Sequence, residues 1–75
     1  MTAKVISGTI TFDIGAELSS GVAEIVLIKD NEILERAPLS DIVRTYEVSE
    51  ESVFYIKLLC EDAEIDVRIT RSISE

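Results

Sequence analysis

Four carboxylates fall within six residues late in the chain: Glu61, Asp62, Glu64 and Asp66. Loops rich in such oxygen donors hold hard cations such as calcium. The EF-hand spacing with its central glycine is absent, however, and Glu64 and Asp66 stand two apart, on one face of a strand. A solvated turn that keeps an acidic protein soluble accounts for the same cluster, so no metal is assigned to it. Paired carboxylates also perform general acid–base chemistry, as in glycoside hydrolysis. That needs a cleft wide enough for a sugar, and a chain of 75 residues leaves little room for one.

Nucleophilic chemistry fares no better. Cys60 would need a neighbouring base or cation to become a thiolate, and the chain has no histidine. Its place in an alternating apolar run suggests a buried structural thiol. The missing histidines also exclude a Ser-His-Asp triad, a Cys-His dyad and His-ligated zinc or haem. A lone cysteine forms no intrachain disulfide and no Cys-rich cluster. Gly8, Gly15 and Gly21 are isolated and match no phosphate-binding loop. Gly15 and Gly21 read as turn punctuation around residues 16–20, and Gly8 as a bulge or a close approach. These residues specify no enzyme and no cofactor.

Composition bounds the partners. Seven Lys and Arg face 15 Asp and Glu, a formal charge of −8. Phosphate binding needs a concentrated basic face, so nucleic acid is excluded as a partner. The longest apolar run, Ile25-Val26-Leu27-Ile28, is far below the roughly 20 residues that span a bilayer. The sequence opens on alternating residues and not on an apolar leader. These features, with one unpaired thiol, point to a cytoplasmic protein without membrane contact. At 47% hydrophobic and 29% charged, the chain has the balance of one small globular domain over residues 1–75.

The elements that would position any site have period two. Ile10, Phe12 and Ile14 alternate with Thr9, Thr11 and Asp13, as in a strand with one wet face. Phe54, Ile56, Leu58 and Cys60 repeat the pattern, and so do Ile65, Val67 and Ile69. Residues 61–64 between them suit a hairpin connector. Over 22–29, Ala23, Ile25 and Leu27 fit one strand face and Val22, Val26 and Ile28 the other. A helical template also fits this segment, with Ser19 or Ser20 as its cap. The β-branched residues favour the strand, as does the following Asp30-Asn31, which tolerates the positive φ of a tight turn. The return strand ends before Pro38. Over 42–48, Ile42, Arg44, Tyr46 and Val48 alternate, with one helical turn after Ser40 as the other reading. Residues 49–52 form a charged turn.

About six short strands at ten-residue spacing indicate a small antiparallel sandwich or barrel. Its expected core is Ile10, Phe12, Ile25, Leu27, Ile56, Leu58, Cys60, Ile65 and Val67, with Phe54 also inside. Tyr46 or Tyr55 would place its ring on the core rim and its hydroxyl toward water or backbone.

Three stretches carry a family resemblance: the run from Val22 through Asp30-Asn31 to Leu34, then Tyr46-Glu47-Val48, then Val53-Phe54-Tyr55 through Asp62. Over residues 8–70 they resemble the immunoglobulin-like β-sandwich accessory modules that follow PHP-type metal-dependent phosphoesterase domains. This chain has Asn31-Glu32 where those modules carry a turn Asn-Gly. It also lacks a phosphoesterase's metal ligands. The resemblance implies an accessory module and transfers no catalytic residue.

One feature of the pattern bears on function directly. A two-layer domain has a single inside, yet the 22–29 and 53–59 segments are apolar on both faces. The surplus side chains Val22, Val26, Ile28, Val53, Tyr55 and Leu59 are the expected interaction face, covered by a neighbouring domain, another protein or a second copy of the chain. The competing expectation is a small-ligand or cation-binding module built on Glu61, Asp62, Glu64 and Asp66.

Overall fold

The computed structural model describes residues 2–74, and every regular element in it is a strand. In chain order these are β1 (Thr2–Val5), β2 (Gly8–Lys29), β3 (Glu32–Pro38), β4 (Ile42–Val48) and β5 (Ser52–Ser74). The fold is all-β and antiparallel throughout, a single sheet curled into a half-barrel. The ambiguous 22–29 and 42–48 segments are strands, as their β-branched content favours.

Two long strands replace four of the expected short ones, so the count is five and not six. β2 and β5 pair along nearly their whole lengths, from Thr9↔Ser74 to Lys29↔Phe54. On its other edge, β2 pairs with β4 over Gly8–Ile14 and with β3 over Glu24–Lys29. β1 flanks the first residues of β5. A straight strand of 22 residues would run about 70 Å, whereas the molecule is 39 Å in its longest direction. The ribbon therefore bends.

The bend lies where the sequence suggests turns. On β5 the inward residues are even-numbered through Leu58 and odd-numbered from Ala63 onward. A connector would produce that switch, and so does one extra residue in a continuous strand. The second occurs here: the β2–β5 register shifts between Leu18 and Ser20 and shifts back between Ser20 and Val22. Each strand inserts one residue, so the two shifts cancel and the original pairing resumes. Asp62 and Gly21 carry the distortion with φ of 48° and 80°. Residues 61–64 are therefore a bulged corner and not a hairpin, and Gly15 and Gly21 lie inside one strand. Such a bulge sharpens twist and lets a sheet curl.

The corner brings the two halves of the ribbon over one core. Ala3, Val5, Ile10, Phe12, Ile14, Ala23, Ile25, Leu27, Leu39, Ile42, Val48, Phe54 and Ile56 are buried together. Phe12 and Phe54 belong to opposite ends of the β2–β5 ladder, yet their ring centroids lie 5.8 Å apart. Tyr46 stacks on Phe54 at 5.6 Å. Tyr46 thus sits on the core rim, half-buried, and burial raises its hydroxyl pKa above the usual value, with the Glu35 carboxylate adding to the rise.

Three expected core residues, Leu58, Ile65 and Val67, are only half-buried, and Cys60 is exposed. The cause is the same for all four. They face inward, but among the described residues β1 covers β5 only as far as Tyr55, and past that point no further described strand lies beside β5.

Candidate functional site

The two-residue turn Asp30-Asn31 organises one end of the outer face. Both residues have positive φ, 48° and 68°, the geometry of a tight hairpin whose twist matches its strands. Lys29 then faces Glu32, and Ile28 faces Ile33. Asp30 also fixes the turn against β5: its N–H donates to the Val53 carbonyl at 2.9 Å, and its Oδ1 accepts from the Val53 N–H at 2.9 Å.

This pairing aligns side chains across neighbouring strands. Directly opposed residues of an antiparallel ladder share a face. Ile33, Ile28, Tyr55 and Thr2 therefore form a row across β3, β2, β5 and β1. Ile28, Val53 and Tyr55 line a shallow hollow with Asp30 and Asn31. Three of the six expected interaction residues are thus gathered beside the turn.

The remaining three are arranged differently. Val22 and Leu59 lie toward the corner, where they line a second shallow hollow with Glu24, Cys60 and Glu61. Val22 is 67% exposed. Val26 shares the face but is only 4% exposed, because its register neighbours are Arg36 on β3 and Lys57 on β5, whose aliphatic stems shield apolar neighbours. Val26 therefore belongs to the packed sheet and not to the accessible surface. Around it the face is charged: Arg36 Nε pairs with Glu24 Oε1, and this pairing raises the Arg36 pKa. The outer face is consequently two apolar ends separated by a charged waist.

Ile33, 60% exposed, belongs to this face although it is not among the six residues that the apolar surplus of the 22–29 and 53–59 segments supplies. The turn carries the signal for it: a two-residue loop at 30–31 forces residue 33 opposite residue 28.

The carboxylates do not converge. Asp66 stands opposite Glu17 and Glu61 opposite Val22, while Asp62 occupies the bulge. Among the described residues, no three His, Cys, Asp or Glu side chains are placed to hold a metal ion. Among the described residues, no helix is long and apolar enough to cross a membrane. Compared with known proteins, it matches no protein-family model, no curated protein and no solved structure.

Proposed function

We propose that this chain is a non-catalytic module that acts by contact, docking its outer face on a neighbouring domain or protein. The observation that carries this reading is the apolar row of exposed Ile33, half-buried Ile28 and exposed Tyr55, continued by exposed Val53, on three neighbouring strands. A small monomer has limited means to hide apolar surface, and an aligned apolar patch with a polar rim is what a partner covers. Asp30, Asn31, Lys4 and Glu32 supply that rim. Tyr55 is the natural anchor, since a tyrosine contributes large contact area at little entropic cost.

The accessory-module character implied by the resemblance to immunoglobulin-like sandwiches agrees with this reading. The two halves of the bent ribbon face each other over one core, as layers of a sandwich do. An exposed, unpaired Cys60 is in keeping with a reducing compartment such as the cytoplasm.

Site-specific photo-crosslinking tests the docking face. A photoreactive residue at Tyr55 or Ile33, in the protein expressed in its own cells, should give a discrete crosslinked species. The same residue at Glu47, on the opposite half of the ribbon, should not. Crosslinks of equal yield from all three positions would refute the assignment.

A further inference from the structure

One long edge of the sheet has, among the described residues, no strand hydrogen-bonded along its backbone, the Arg71 side chain alone reaching the Thr2 carbonyl of β1. Among the described residues, β5 from Ala63 to Ser74 pairs only with β2, since the β1 pairing stops at Tyr55. The other outer strands are blunted in the ways sheets protect their edges. β1 has four residues; β4 carries the charged Arg44 on the inward face, in phase with buried Ile42 and Val48; β3 is broken by a bulge and ends in Pro38. Along Ala63–Ser74, β5 has no proline, and its register with β2 runs unshifted from Ile65 onward. Its inward side chains Ile65, Val67 and Ile69 pack on the core but stay half-buried.

The outward residues of this edge identify what would cover it. Asp66 stands directly opposite Glu17, a like-charge pairing that destabilises a sheet. Arg68 stands opposite Gly15 and has no ion-pair partner among the described residues. If the edge pairs antiparallel with itself about a two-fold axis at Val67, Asp66 faces Arg68 of the second copy, and the symmetry repeats that contact. Val67 then meets Val67, Ile65 meets Ile69, and Glu64 meets Thr70. Placing the axis at Arg68 sets the two arginines on each other, and placing it at Asp66 sets the two aspartates on each other at the centre, although Arg68 then meets Glu64. Of these three registers, the Val67 register alone has opposite-charge pairs and no like-charge contact, the self-complementarity that a two-fold interface requires.

We propose that the β5 edges of two copies of this chain pair antiparallel about Val67, so that the curled sheet continues across a homodimer. This surface is separate from the docking face proposed above, and either assignment can fail without the other.

Sedimentation equilibrium of the full chain, from micromolar to millimolar at about 0.15 M salt, tests it; there, repulsion between the acidic copies is screened beyond about 8 Å. Wild type should dimerise with concentration. Asp66→Arg and Arg68→Glu should each weaken the dimer at least about tenfold, because two symmetry-related pairs turn repulsive. An equimolar mixture of the two variants should recover association as a heterodimer, since it restores both opposite-charge pairs. Both side chains are exposed, so the variants keep the fold, which circular dichroism verifies. Hydrogen exchange of amides 64–70 should slow as concentration rises, while Tyr55→Lys leaves the dimer intact. A wild type that stays monomeric throughout, or single variants that associate as strongly as wild type, would overturn the proposal.

Discussion

Glu35 and Arg44 meet as a two-pronged pair: Arg44 Nε donates to Glu35 Oε1 at 2.7 Å, and Nη2 donates to Oε2 at 2.8 Å. Glu35 lies on β3 and Arg44 on β4, strands that pair with opposite ends of β2. The contact therefore ties the two halves of the bent ribbon together where no backbone ladder joins them. On the opposite side, Arg71 Nη1 donates to the Thr2 carbonyl at 2.9 Å and links β5 to β1. A half-barrel with open sides is held at each side by an arginine.

The first latch has a pH signature. Hydrogen bonding from Arg44 lowers the Glu35 pKa, against a smaller opposing effect of desolvation. A carboxylate with a depressed folded-state pKa adds stability above its unfolded value, roughly pH 4.3, and that stability disappears as pH falls through the folded value. Glu35→Gln should accordingly melt a little below wild type at neutral pH, the small size reflecting partial exposure of both partners. Thermal melts between pH 7 and pH 2 should show the difference closing at the acid end. Arg44→Lys should behave like Glu35→Gln, because an ammonium cannot reproduce the fork. An unchanged gap at low pH would remove Glu35 as its source.

The corner gives a sharper expectation. A Cβ on Gly21 would sit 2.2 Å from the Asp62 carbonyl oxygen, at a backbone φ of +80°. Backbone cannot yield as a flexible side chain does, so Gly21→Ala should cost well over about 1 kcal/mol in denaturant unfolding. Asp62→Gly, at φ 48°, should be neutral or mildly stabilising by comparison. Equal tolerance at both positions would mean that the corner is not the rigid element described.

These two positions also mark where sequence reading succeeds and where it stops. Alternation located the faces of β2, β4 and β5 but did not single out β1, whose Ala3 and Val5 are buried; the Asp30-Asn31 turn was readable because two residues tolerant of positive φ sit between β-branched runs. The change of inward parity between Cys60 and Ala63 was equally visible. Parity alone, however, does not separate a turn from a bulge, since both shift the pattern by one residue. The choice between them rests on the partner strand, and the matching distortion in β2 around Gly21 is a long-range fact. The outer-face positions followed from the same alternation, but the burial of Val26 did not. It depends on Arg36 and Lys57 being its neighbours across the sheet, which only the register determines.

Packing across the fold is concentrated at Phe12. Its ring contacts Phe54 from the far end of the ladder, and it is 1% exposed. Phe12→Ala should destabilise by about 3–5 kcal/mol. A domain of this length has roughly 4–11 kcal/mol in total, so the variant should be largely unfolded or strongly shifted in urea midpoint. Phe12→Leu, which keeps most of the volume, should fold with a smaller loss. A midpoint unchanged by Phe12→Ala would contradict the closure of the ribbon over a shared core.

Cys60 reports on the open side of the barrel. It occupies an inward position of β5, opposite the buried Ala23, and in a closed barrel it would be shielded. Here no strand lies beyond it on the β1 side among the described residues, and the thiol is exposed. A thiol-specific reagent should label the native protein without denaturant, at a rate close to that of the urea-unfolded chain. Cys60→Ser should change stability by less than about 0.5 kcal/mol, the range of surface substitutions. Protection of Cys60 under native conditions, by tenfold or more, would mean that the gap beside β5 is closed in solution. A monomeric sample at high dilution is therefore the right starting point, and loss of labelling as concentration rises would place the second copy near the corner.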